Sequence, residues 1–303
     1  MSYINTKKRT EKISYNEDEF ELQPILSEEP KHDLNEMVLY KKTRDELNDF
    51  IAFCDTERRA SFIKKHDVKY IDPNEGVAAN FYGQSGTGKT TVAEACAKAL
   101  GKRIIKVVHG DLSSPYPGVT SRNYRQIFEQ AEKEGAVLFV DEAETALGER
   151  IAKVTNSADL GVNSTRTTLL SLLNRFNCIV IFATNNFHHY DKAMFRRILF
   201  HVDFPPPNKE MLIKIWKCHF NESIPKSFSY EFAADITNNM NGGHIKNIAT
   251  KLIIKSMQGV ELDCKLLKNV VDDFRRNMDA STTLYRETNI DDTTNNSTLH
   301  MHE

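Results

Sequence analysis

The chain has 303 residues, 27% charged and 40% hydrophobic, with a formal net charge of −2. That length holds one large domain or two modest ones, and the balanced charge excludes a global attraction to nucleic acid or an anionic membrane. Five scattered cysteines (Cys54, Cys96, Cys178, Cys218 and Cys264) without C-x-x-C spacing argue against a disulfide framework or a zinc site and point to a reducing compartment.

Residues 1 to about 30 are polar and aperiodic, so the segment 1–42 is expected to be largely disordered. It lacks the apolar core of a signal peptide, and no apolar run anywhere is long enough to span a bilayer. The expectation is a cytoplasmic protein with no membrane contact. Leu34, Met37, Val38 and Leu39 suggest a first ordered segment. Thr43 reads as the N-cap of a helix on which Leu47, Phe50, Ile51 and Cys54 recur at helical spacing.

From about Val68 the pattern alternates between strand and helix. Strands are predicted over 77–82, 104–108, 136–140, 178–183 and 199–204, several as continuous apolar runs of the kind that parallel strands covered on both faces require. Helices are predicted from Thr91 to Leu100, from a Ser121 cap to Gly135, and over 164–176. The fold class is therefore α/β, a parallel sheet sandwiched by helices. After Pro205-Pro206-Pro207 the pattern is helical over 209–220, 230–240, 244–257 and 264–278. The expected layout is a segment 1–42, an α/β domain 43–207 with a leading helix, a small all-helical domain 208–278, and a disordered tail 279–303.

Gly83-Gln84-Ser85-Gly86-Thr87-Gly88-Lys89-Thr90 matches the phosphate-cradling loop G-x-x-x-x-G-K-[ST] at every defined position. Its glycines let the backbone N–H groups turn toward phosphate oxygens. Lys89 is placed for the β- and γ-phosphates of a nucleoside triphosphate, and the Thr90 hydroxyl for Mg²⁺. The helix that opens at Thr91 adds the positive end of its dipole. Val137-Leu138-Phe139-Val140-Asp141-Glu142 is a buried strand that delivers two carboxylates at its end. Asp141 suits Mg²⁺, and Glu142 suits activation of a water, which favours hydrolysis. Asn185, in Phe182-Ala183-Thr184-Asn185-Asn186, is a neutral amide that can bind a γ-phosphate or the lytic water without competing for the metal.

With these motifs in this order, the chain resembles a AAA+ ATPase over roughly residues 45 to 278. It is most similar to the AAA group of protein-remodelling ATPases, and to stand-alone bacterial members with a single ATPase module. The residues that carry the resemblance include Gly118-Val119-Thr120, Ala131-Glu132, Asp141-Glu142-Ala143-Glu144 and Asp191-Lys192-Ala193-Met194-Phe195-Arg196-Arg197. The resemblance implies that the helical domain is a lid. Asn185 takes the place of the sensor 1 asparagine, and Arg196 and Arg197 fall where the family carries fingers that act on a neighbouring subunit. Gly242 and Gly243 resemble the sensor 2 region over the adenine, with the register of Lys246 left open. Val68 and Ile71 stand where the adenine pocket starts. Tyr116-Pro117-Gly118 resembles a pore-loop step, with Pro replacing the usual aliphatic residue, and Ile151 to Val162 would be a second pore-facing loop. The implied function is ATP hydrolysis by a homo-oligomeric ring, a hexamer in the family, that remodels or unfolds a protein partner. The alternatives are a loader linked to nucleic acid, which the charge does not indicate, and a nucleotide-gated scaffold with little turnover.

Overall fold

Among the described residues, five strands form one parallel sheet in the order β2-β3-β4-β1-β5. They are β1 (Val77–Tyr82), β2 (Ile104–Val108), β3 (Val137–Asp141), β4 (Ile179–Thr184) and β5 (Phe200–Asp203). The computed structural model describes residues 25–149, 151, 153, 157–185, 190–220, 225 and 227–295.

Alternation along each strand builds two apolar layers. Leu138 and Val140 face one side, with Ile127, Phe128, Leu169 and Phe182. Val137 and Phe139 face the other, with Phe50, Val92, Cys96 and Ile181. The helices that cover the sheet are α1 (Lys41–Cys54), α2 (Thr56–His66), α3 (Lys89–Ala99), the single turn α4 (His109–Leu112), α5 (Val119–Glu134), the single turn α6 (Glu144–Leu147), α7 (Ser157–Arg175) and the single turn α8 (Lys192–Phe195). The lid consists of α9 (Lys209–His219), α10 (Tyr230–Ile236), α11 (Gly242–Met257) and α12 (Cys264–Asn295). Its core centres on Trp216, fully buried, whose indole N–H donates to Thr237 Oγ1 at 3.0 Å.

Several local expectations are corrected. Thr43 lies inside α1 rather than capping it. Its hydroxyl donates to the Asp203 carbonyl at 2.9 Å and ties α1 to β5. Ser121 also lies inside its helix, which starts at Val119 behind Gly118. Strands β3 and β4 run one residue later than expected at each end, which puts Asp141 and Thr184 at their last positions. Helix α7 begins at Ser157, so the later part of the expected second loop is helical. The Asn163 side chain holds both the N–H and the carbonyl of Ile151, at 3.0 and 3.1 Å. The last helix was expected to stop near Met278 and runs on to Asn295.

Residues 25–40 form an ordered strap, where the sequence suggested a largely disordered segment 1–42 with order only around residues 34–39. Glu28 exchanges two backbone hydrogen bonds with Ile104, 2.8 and 3.0 Å, so the strap caps the β2 edge. The Lys31 N–H donates to the buried Glu94 of α3 at 2.8 Å, and Asp33 caps a 3-10 turn, Leu34–Glu36. Residues 1–24 and 296–303 lie outside the described residues.

Candidate active site

The phosphate loop joins β1 to α3. Gly86 (φ +79) and Gly83 (φ +146) both need glycine for a steric reason as well as a conformational one. A Cβ on Gly86 would stand 2.7 Å from Asn241 Oδ1, and one on Gly83 would stand 2.4 Å from the Phe204 carbonyl. Lys89 is 7% exposed, and its ammonium donates to Gly83 O (2.6 Å), Gln84 O (3.0 Å) and Asn185 Oδ1 (2.8 Å). Burial holds its pKa below the ordinary lysine value, against the opposing pull of Asp141 and Glu144.

Thr90 and Asp141 meet across the sheet end, with Thr90 Oγ1 donating to Asp141 Oδ2 at 3.1 Å. Glu142 follows in a left-handed conformation (φ 53), fixed by its N–H donating to Asp141 Oδ1 at 2.9 Å. The turn leaves the Glu142 carboxylate exposed beside the cavity. Positive φ costs a non-glycine residue energy and persists only where its surroundings enforce it.

One cavity of about 470 Å³ gathers Ser85, Gly86, Thr87, Gly88, Lys89, Thr90, Thr91, Asp141, Glu142, Asn185, Gly242, Gly243 and Lys246. Gly83 and Gln84 stand behind it, their carbonyls on Lys89. Asn186 lies outside the described residues. The lid meets the loop directly. Asn241, the N-cap of α11, donates from Nδ2 to Ser85 O at 2.8 Å, and the Gly243 N–H donates to Gly86 O at 3.0 Å.

The rest of the wall is Glu36, Met37, Val38 and Leu39 from the strap, Val92 from α3, and Ile215, Cys218 and His219 from α9. Most of these side chains are apolar, and burial together with the Lys246 charge lowers the His219 pKa. Val68 and Ile71 are not part of this wall. Asp67 ends α2 in a left-handed turn (φ 47), and Tyr70 is left-handed as well (φ 70). Val68 and Ile71 line a separate groove of about 410 Å³ with Phe53, Phe62, Ile63 and Phe200. Sequence reasoning missed the strap, α9 and Asn241 as site components. The available signals were the apolar run 37–39 and the i, i+3, i+4 spacing of Ile215, Cys218 and His219, but neither carries a distance to the loop.

Tyr116, Pro117 and Gly118 form the turn before α5, with Tyr116 42% exposed at a cavity of about 370 Å³ shared with His109 and Thr165. Arg196 and Arg197 close α8, exposed and outside the nucleotide cavity, and among the described residues neither makes an ion pair.

Residues 79–206 match the family described as "ATPase family associated with various cellular activities (AAA)". The chain is similar to the 26S proteasome subunit RPT4 of Saccharomyces cerevisiae, 33% identical over 190 residues, which covers 60% of this chain and 43% of the relative. It is also similar to the proteasome-activating nucleotidases of Methanopyrus kandleri (31% over 217 residues, 69% of this chain and 48% of the relative) and Pyrococcus abyssi (34% over 188 residues, 60% and 47%). The chain therefore spans less than half the length of these curated relatives.

Proposed function

From its membership of the AAA family of ATPases, to which the chain belongs through residues 79–206, we propose that this protein hydrolyses ATP as a homo-oligomeric ring that remodels a protein partner. The observation that carries the reading is the convergence of Lys89, Thr90, Asp141, Glu142 and Asn185 on one cavity bridged by the lid. In this reading the loop N–H groups and Lys89 bind the β- and γ-phosphates, and the base lies between the strap and α9. Each phosphate oxygen that reaches Lys89 replaces one of its present carbonyl or amide acceptors. Glu142 takes a proton from the attacking water, and Asn185 Oδ1 orients that water once Lys89 has turned to phosphate.

The Thr90 hydroxyl and Asp141 carboxylate, 3.1 Å apart, are hard oxygen donors that fit Mg²⁺, which keeps several waters and shares substrate phosphates. When bound, the ion neutralises charge developing on the transferred phosphoryl group.

Arg196 and Arg197 sit outside their own cavity, which supports their action on a neighbour's nucleotide. A hexameric ring would put the exposed Tyr116 where it can grip an unfolded segment by packing. Among the described residues no helix is long and apolar enough to cross a membrane, in keeping with a cytoplasmic setting. The test is ATP turnover per protomer across protein concentration, for wild type, Glu142→Gln, Arg196→Ala and Arg197→Ala. Turnover should rise with concentration, vanish in Glu142→Gln and fall in at least one arginine variant. Concentration-independent turnover untouched by both arginine changes would remove the ring reading.

A further inference from the structure

Glu144 stands three residues beyond Asp141, at the start of α6, and does not line the nucleotide cavity. Its Oε1 accepts the backbone N–H of Asn185 in a short hydrogen bond. That N–H lies past the end of the sheet ladder. The β1–β4 register stops at Tyr82↔Thr184, and the β3–β4 register at Val140↔Phe182. A carboxylate on this N–H makes a charge-assisted bond where the strand offers none. The neighbouring stitch, Ala143 N–H to Ala183 O at 3.0 Å, holds the two strand ends together but does not reach Asn185.

We propose that Glu144 is a positioning residue for Asn185. It pins the Asn185 backbone, so the side-chain amide moves only by rotation between Lys89 and the reacting phosphate. The Asn185 Oδ1–Lys89 Nζ contact of 2.8 Å shows that the amide already lies within reach of the phosphate-binding lysine. A misplacement of about 1 Å in such a group can cost on the order of 100-fold in rate. The catalytic part of the proposal rests on the ATPase reading, but the tether does not.

The test uses the full chain with Glu144→Ala, Glu144→Gln and Glu144→Asp. Two quantities are measured: hydrogen exchange of the Asn185 amide, and ATP turnover resolved into kcat and KM. In Glu144→Ala, exchange at Asn185 should rise at least about tenfold while Val180 and Phe182 stay protected. Its kcat should fall by about 10- to 100-fold with KM within about threefold. Glu144→Gln keeps an acceptor oxygen at the same reach but loses the charge assistance, so both quantities should fall between the alanine variant and wild type. Glu144→Asp keeps the charge but falls one methylene short, so it should behave like the alanine variant. If Glu144→Asp matches wild type while Glu144→Gln is as impaired as Glu144→Ala, charge without reach suffices, the contact is not a tether, and the proposal fails. Unchanged Asn185 exchange in Glu144→Ala would also overturn it. Wild-type chain without ATP turnover would sink the ATPase reading, and with it the catalytic role, while the exchange result would still decide the tether.

Discussion

Asn241 Nδ2 and the Ser85 carbonyl lie 2.8 Å apart, and that hydrogen bond joins the lid to the phosphate loop. The same side chain caps α11, its Oδ1 accepting from the His244 N–H at 3.0 Å, with the His244 ring returning to the Asn241 N–H in a capping box. Loop conformation and lid orientation are therefore coupled through one residue. Asn241→Ala should cost about 1 kcal/mol of stability as a lost cap. It should also weaken nucleotide affinity by about tenfold, because the Ser85 carbonyl loses its donor. Fluorescent-nucleotide titration beside thermal unfolding checks both effects. A stability loss with unchanged affinity would mean that the contact serves only the helix.

The base end of the cavity gives a prediction that separates two walls. Cys218→Trp should fill the space between α9 and Met37–Leu39 and lower nucleotide affinity by more than about tenfold, with little change in the fold, since Cys218 is solvent-exposed. Val68→Ala and Ile71→Ala should leave affinity unchanged, because both side chains line the groove beside α2. Isothermal titration with an ATP analogue decides it. Loss of affinity in Val68→Ala with none in Cys218→Trp would return the base to the Val68 side.

The contrast between those walls shows what the sequence can carry. The loop Gly83–Thr90 and the Asp141-Glu142 pair were legible because their chemistry is contiguous and each motif fixes its own local geometry. The strands were legible from apolar runs, to within a residue. The partners of Asn241 and Cys218 were not, because they lie 156 positions away in one case and across the strap in the other. The segment 25–33 looked disordered because its order comes from hydrogen bonds with a sheet edge and with α3, which leave no periodicity in the strap itself. That Val68 and Ile71 would line a separate groove was not legible, because Asp67 and Tyr70 both take left-handed conformations there and neither residue type requires one.

The strap should answer to a single backbone change. Glu28→Pro removes the N–H that donates to Ile104 O and leaves the β2 edge partly uncovered. The side chain also loses its 2.7 Å ion pair with Lys106, but that pair is half exposed and contributes little. The expected result is a loss of about 1 kcal/mol and a greater tendency to aggregate, since an open strand edge templates pairing with another chain. Because the strap leads to Met37–Leu39, nucleotide affinity should fall as well. Denaturant unfolding and light scattering of the proline variant check the first two effects, and Glu28→Gln is the control for the charge.

Acid should destabilise the protein in two separate windows. Burial lowers the pKa of His109, His201 and His219 below the ordinary 6.5, the Lys246 charge adding to the effect on His219 and Glu144 partly opposing it at His109. The unfolded chain therefore binds these protons first as pH drops, and the stability present above 6.5 is lost as pH falls through the lower folded values. Each fully coupled proton contributes a slope of about 1.4 kcal/mol per pH unit. Glu28 and Glu134 are held below 4.5, chiefly by hydrogen bonds to Lys106 and to Ser27 respectively, so their contribution is lost only in more acidic solution. The melting temperature should therefore decline between pH 7 and 5 before the carboxylates titrate. His109 bonds Tyr124 OH at 2.6 Å and has Ser113 Oγ at 3.2 Å on its other nitrogen, so His109→Gln keeps polar atoms in reach of both partners without a titrating group. That variant should show a shallower decline than wild type, with the slope below pH 4.5 unchanged. A melting curve as steep as wild type between pH 7 and 5 would mean that His109 is protonated as readily in the folded chain as in the unfolded one.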